Sequence, residues 1–146
     1  MAMQLDNTDW SIIELLSEQY LSNNEIARRL DISEGTIRRR IKALQDEGIM
    51  RIKAQLDPNV LEERQIAIVT ANVTEANLLD KKAREISRLN GVVSVSILAG
   101  QFDLLIEILV DSNHGLMQFL INELSTVEGL SKTETFVILK SYGKYI

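Results

Sequence analysis

Cysteine is absent from the 146 residues, which excludes disulfides, thiolate zinc sites, iron–sulfur clusters and a thiol nucleophile. A chain of this length buries roughly two-thirds of its unfolded surface and needs no covalent staple. A reducing compartment suits it. Proline occurs once, in the turn signal Asp57-Pro58-Asn59. The single histidine, His114, sits between Asn113 and Gly115 at an expected helix start, a setting for a surface or capping residue. Long apolar runs are missing as well. The longest candidate, residues 104–110, is interrupted by Glu107 and falls far short of the ~18 residues of a membrane span. The first nine residues carry neither a basic nor an apolar leader segment, so a cytoplasmic protein with no membrane partner is expected. Positive charge is in deficit at a net −5, which taken alone argues against nucleic acid, whose phosphates need Lys and Arg.

That deficit is uneven. Between Ile26 and Lys53 stand eight basic residues (Arg28, Arg29, Arg38, Arg39, Arg40, Lys42, Arg51, Lys53) against four acidic ones, a local excess of four. Such a patch can bind phosphates in an otherwise acidic protein, or be a solvated helix face; the pattern around it decides. Asp6 is placed to cap a first helix whose Trp10, Ile12, Ile13, Leu15 and Leu16 form an apolar stripe. Ser22-Asn23-Asn24-Glu25 reads as a capping box, opening a short helix with Ile26, Ala27 and Leu30 inward. Ser33 then caps a third helix, and the connection from Leu30 to Ser33 has helix-turn-helix length.

In this third helix Ile37, Ile41 and Leu44 make one apolar stripe, while Arg38, Arg39 and Lys42 point away from it. Ser33, Glu34, Gly35 and Thr36 form its first turn. A helix that reads the major groove of double-stranded DNA has this arrangement. Arginine bonds guanine bidentately, and helix-start N–H groups with Thr36 suit phosphate. Arg40 belongs to the same basic run, as a base reader, a phosphate contact or a packing residue. Gly35 costs a helix ~1 kcal/mol against alanine; close approach to DNA and simple tolerance in a first turn explain it equally. Gly48 ends the helix where glycine relieves left-handed strain. Residues 49–56 alternate like a strand, a wing or linker bearing Arg51 and Lys53. The expected organisation is a DNA-binding domain over 1–53, a hinge over 54–64 and a second domain over 65–146.

From Gln65 the period changes. Strands are expected over 66–73, 92–98, 104–110 and 132–140, and helices over 77–89 and 115–124, with Gly100-Gln101-Phe102-Asp103 as a hairpin turn. The order β-α-β-β-α-β is the ferredoxin-like plan, so the chain is α+β, with both helices on one face of a four-stranded antiparallel sheet. The last strand carries apolar residues at both parities, Val137 and Leu139 against Phe136 and Ile138. A wet second face is unfavourable at ~25 cal/mol per Å². A second copy covering it makes the chain a homodimer at least; cover by the N-terminal domain is the alternative.

Taken in order, these residues resemble the Lrp/AsnC (feast/famine) family of transcription regulators over nearly the whole chain. The resemblance is carried by Leu5-Asp6, Asp9 and Ile12-Ile13; by Glu25-Ile26-Ala27 and Leu30; and by Ser33, Thr36-Ile37, Arg40-Ile41, Leu44 and Gly48-Ile49. Asp57-Pro58, Gly100-Gln101-Phe102-Asp103, Gly129 and residues 133–139 continue it. It implies a winged helix-turn-helix joined by a hinge strand to a ferredoxin-like sensor, dimers formed through the sheets, and assembly up to octamers. It also implies a small effector, commonly an amino acid, bound between sensor domains. By that likeness Gly100, Gln101, Phe102 and Asp103 line the effector site, Asp103 and main-chain groups meeting ammonium and carboxylate, and Thr133 and Thr135 complete it from another chain. Glu62 stands where the family usually has glycine, and Phe102 replaces the commoner tyrosine, removing a hydroxyl from the pocket.

Two rival functions share parts of this pattern. Siroheme decarboxylases share the architecture, yet the chain has no metal-ligand spacing, no phosphate loop and no base near Ser33, so neither catalysis nor a cofactor is expected. An amino-acid-binding module without DNA affinity is opposed by the clustering of Arg38, Arg39, Arg40 and Lys42.

Overall fold

The computed structural model describes residues 4–146. They form two compact units, one ending at Ala54 and one running from Gln55 to Ile146.

The first unit holds three helices: α1 (Asn7–Glu18), α2 (Asn23–Leu30) and α3 (Glu34–Asp46). Each begins at a side chain that satisfies an orphan helix N–H. Asp6 and Ser22 both make full capping boxes, with Asp9 and Glu25 reaching back. Ser33 accepts from the Thr36 N–H. Asp31 ends α2 in the left-handed region at φ 54°, and Gly48 follows α3 at φ +69°. The core joins Ile12, Leu21, Ile26, Ala27, Ile37 and Ile41, with Leu15, Leu16, Leu30, Ile32 and Met50 packed around it. Trp10 departs from the expected stripe: it is 57% exposed.

The expected strand over 49–56 is not formed. Residues 50–57 are irregular, and all but Met50 are exposed. Alternation favours a strand only where another strand supplies hydrogen bonds, and among the described residues only Leu56 of this segment exchanges such bonds, with Ile146 at the chain's end. Arg51 and Lys53 therefore lie on an extended, exposed stretch rather than on a wing.

The second unit is built on a four-stranded antiparallel sheet in the order β2-β3-β1-β4, from β1 (Arg64–Val73), β2 (Val92–Ile97), β3 (Leu104–Asp111) and β4 (Leu130–Val137). Two helices, α4 (Leu79–Ile86) and α5 (Ser112–Gln118), complete the β-α-β-β-α-β order. Helix α5 starts three residues earlier than its glycine suggested, and it continues as a wider turn over Phe119–Glu123. Strand β4 stops at Val137 rather than Lys140. Beyond that point Ile138 keeps a single ladder bond, its N–H donating to the Ile66 carbonyl at 3.0 Å.

Register separates the two sheet faces. Ala67, Val69 and Ala71 pair with Ile108, Ile106 and Leu104; all six are buried, and all but Ala71 share one core with Ile86, Leu116, Phe119 and Leu124. The opposite face carries Ile66, Ile68 and Thr70 beside Leu109, Glu107 and Leu105, with Phe136 next to Ile68. The tail after β4 is tied down near this face. Lys144 pairs with Glu107, Leu56 and Ile146 exchange backbone bonds of 2.9 and 3.1 Å, and Asn59 bonds both ways to the Ser141 backbone. Phe136 remains 48% exposed and Leu139 93%.

Candidate nucleic-acid interface and effector turn

Helix α3 buries Ile37, Ile41 and Leu44, so at 100° per residue Gly35, Arg39 and Lys42 centre the opposite face, with Arg38 at its margin. Arg38, Arg39 and Lys42 are exposed. Two of these cations hold acids of their own helix: Arg38 meets Glu34 at 2.6 Å and Lys42 meets Asp46 at 2.6 Å. Exposed pairs of this spacing contribute only ~0.3–0.5 kcal/mol, so an incoming phosphate can replace either acid. Among the described residues Arg39 has no ion-pair partner.

The first turn of α3 is capped and open. The Thr36 N–H donates to Ser33 Oγ at 3.3 Å, and the two hydroxyls lie 2.9 Å apart. Gly35 has an ordinary backbone, and a Cβ added there meets nothing within 4 Å. Nothing inside the chain therefore requires glycine at this position.

Arg40 is a correction to the expected contact set. Its Nη1 donates to Asp6 Oδ2 and to Asp9 Oδ1, both at 2.8 Å, and so turns towards α1. Asp9, only 2% exposed, also accepts from the Asp6 N–H, and the Asp9 N–H donates to Asp6 Oδ1. The cluster joins the start of α1 to α3. The Asp9 N–H, and after it the Arg40 guanidinium, hold the Asp6 carboxyl below its ordinary range. The same two carboxylates, Asp9 first, raise Arg40 further. Partners 31 and 34 residues apart leave no local trace, which is why sequence reasoning missed Asp6 and Asp9.

In the second unit the turn from Gly100 to Asp103 closes the β2–β3 hairpin, with the Leu98 N–H donating to the Asp103 carbonyl at 2.8 Å. Gly100 and Gln101 are exposed, while Phe102 and Asp103 are half-buried. The Asp103 N–H donates to the Ala71 carbonyl and Asn72 Oδ1, and Asp103 Oδ2 accepts from the Val73 N–H at 2.8 Å. One carboxylate oxygen is thus spent on holding the turn against β1. Thr133 and Thr135 are exposed on β4, with β1 and β3 between that strand and β2. Asp103 bonds to Ala71 and Val73 of β1, so the turn and β4 both border that strand. Sequence reasoning also passed over Thr70, whose buried hydroxyl has no hydrogen-bond partner.

Comparison with known proteins divides the chain in the same order. Residues 5–49 match the winged helix-turn-helix DNA-binding family and residues 66–145 the Lrp/AsnC ligand binding domain. An uncharacterised helix-turn-helix-type transcriptional regulator of Pyrococcus furiosus is 32% identical over 143 residues, covering 95% of this chain and 96% of the relative. A transcriptional regulator of Neisseria meningitidis, solved in complex with L-Met, is 25% identical with a TM-score of 0.69, over 97% of this chain and 94% of the other. The leucine response regulatory protein of Mycobacterium tuberculosis shares the fold at a TM-score of 0.78 and 20% identity, over 96% of both chains.

Proposed function

The chain belongs to the Lrp/AsnC family of DNA-binding transcription regulators with an effector-binding domain, and we propose that α3 is the helix by which it reads duplex DNA. The observation that carries this reading is the outward face of α3. Among the described residues Arg39 stands there without an ion-pair partner, Arg38 and Lys42 are held only by acids of their own helix, and Gly35 leaves room for close approach. Ser33, Glu34 and Thr36 flank the face at the helix start, where the dipole and free N–H groups favour a phosphate. Arg51 and Lys53 add backbone contacts from the exposed linker. Arg40 supports the helix from behind. Residues 1–53 act as the DNA-binding domain, 54–64 as the hinge and 65–146 as the sensor and oligomerisation domain.

The effector is an amino acid, held at the turn Gly100, Gln101, Phe102 and Asp103. The L-Met complex of the Neisseria regulator supports this class of ligand. The free oxygen of Asp103 suits an ammonium, and exposed main-chain groups of the turn suit a carboxylate. Thr133 and Thr135 join from another copy, as the family likeness implies. The working form is a homodimer at least, with octamers as the larger assembly, in the cytoplasm. No described helix is long and apolar enough to cross a membrane.

Genomic footprinting of the tagged protein, with and without amino acids, supplies the duplex for the direct test. Arg39→Ala should weaken binding to it by about 1–3 kcal/mol at matched salt. The wild-type affinity should fall with salt at a log–log slope near ~0.9 per neutralised phosphate. Unchanged affinity of the variant would reject the assignment of Arg39.

A further inference from the structure

The acidic second unit concentrates its cations. Residues 55–146 contain eight Lys and Arg against twelve Asp and Glu, and four of the eight (Lys81, Lys82, Arg84 and Arg88) fall within one eight-residue stretch. Helix α4 sorts them. Leu79, Ala83 and Ile86 pack into the core, and Lys82, with its side chain 13% exposed, reaches Glu85 at 3.0 Å. Lys81, Arg84 and Arg88 are exposed on the outer side, where they line one shallow groove with Asn77, Asp80 and Glu85. Lys81 and Arg84 stand one turn apart on α4, and Arg88, in the turn that follows the helix end at Ile86, lines the same groove. Asp80 engages Arg84 at 2.9 Å, but both side chains are more than two-thirds exposed, and salt loosens such a pair. Among the described residues Lys81 and Arg88 have no ion-pair partner, so nothing within the unit accounts for their alignment.

We infer that the groove formed by the outer face of α4 and the turn after it is a second, sequence-independent DNA contact, in which Lys81, Arg84 and Arg88 take up phosphates of duplex running beyond the stretch engaged by α3. This rests on α3 being the DNA-reading helix. One strand of duplex presents a phosphate about every 3.4 Å of axis, so three cations gathered along one groove can each meet one of a run of neighbouring phosphates. The contact needs no base edge, because point charges on flexible stems neutralise backbone phosphates without reading sequence. An acidic protein surface would also be attracted, but it offers no comparable line of anions at a regular pitch.

The test uses the full chain with Lys81→Gln, Arg84→Gln and Arg88→Gln combined. Mixed-sequence duplexes of about 20 base pairs, two helical turns, and about 150 base pairs, one persistence length, are titrated by fluorescence anisotropy across a salt series. On the long duplex the variant should lose about tenfold in affinity, and its log–log salt slope should become shallower by 2–3, close to ~0.9 for each lost phosphate contact. Short-duplex binding should stay unchanged. An unaltered slope on the long duplex overturns the proposal, as does an equal loss on both lengths, which would mark a general field effect. Intact DNA binding with weakened self-association in sedimentation would assign the stripe to an acidic surface of another copy, and overturns it too. Arg39→Ala run in parallel separates the two readings. If Arg39→Ala binds both lengths like wild type, α3 fails as the reading helix and this proposal falls with it; if Arg39→Ala loses affinity while the triple variant matches wild type on both lengths, α3 stands and the stripe alone is overturned.

Discussion

At the scale of single residues, three consecutive arginines have different roles. Arg38 and Arg39 lie outside on α3, while Arg40 donates to Asp6 and Asp9 and helps seat α3 on α1. Removing one partner of a buried ion pair costs about 3–5 kcal/mol. Because the Arg40 side chain is itself about one-third exposed, Arg40→Ala should cost less, about 2 kcal/mol, read from urea unfolding. The same cluster sets an acid limit. The folded-state pKa of Asp6 is depressed from 3.8, first by the Asp9 N–H and then by Arg40. Its stabilisation is therefore complete above that value and is lost as pH falls through the depressed one. Glu25, lowered by the Ser22 hydroxyl and then the Ser22 N–H, follows the same sign. Unfolding series between about pH 5 and 2 should show stability falling with acid, and less steeply in Asp6→Asn. An equal slope in both proteins would remove Asp6 from the account.

At the scale of elements, the β2–β3 hairpin carries the proposed effector turn. Asp103 has two tasks there: one oxygen accepts from the Val73 N–H and fixes the turn to β1, and its charge is available to an ammonium. Asp103→Asn separates them, because an amide oxygen still accepts the Val73 N–H. The variant should keep its unfolding free energy to within about 1 kcal/mol. Its thermal stabilisation by added amino acids should be largely lost, as expected when ligand affinity for the folded state falls. A full ligand-induced shift in the variant would place the ammonium elsewhere. Residues 50–57 show the opposite case, an alternating element that stays irregular because, among the described residues, only Leu56 exchanges backbone bonds with a distant partner.

For the molecule as a whole, the sheet face away from the helices is the largest open question that the chain poses to solvent. Ile68, Leu105, Leu109 and Phe136 line it, and burying a phenylalanine stabilises by ~1.5–3 kcal/mol. A second copy meeting this face covers both surfaces at once, as two-fold contacts do. Phe136→Glu should shift the protein towards monomer in sedimentation equilibrium, with weaker duplex binding because paired recognition helices are lost. A variant that sediments like wild type would place the interface elsewhere.

Much of this was legible in the residues alone. Ser22 with Glu25, Ser33 before Thr36, and the spacing of Ile37, Ile41 and Leu44 are local patterns, and local hydrogen bonds and helical periodicity answer to neighbours within four positions. The β-α-β-β-α-β order was legible for the same reason. What depends on partners distant along the chain was not: the inward turn of Arg40 to Asp6 and Asp9, the Asp103 bond to Val73, the end of β4 at Val137, and the missing strand over 49–56. Periodicity states which face a residue prefers, whereas only the folded chain decides which distant group meets it there, because a long-range ion pair or strand ladder exists only once packing has brought both halves together.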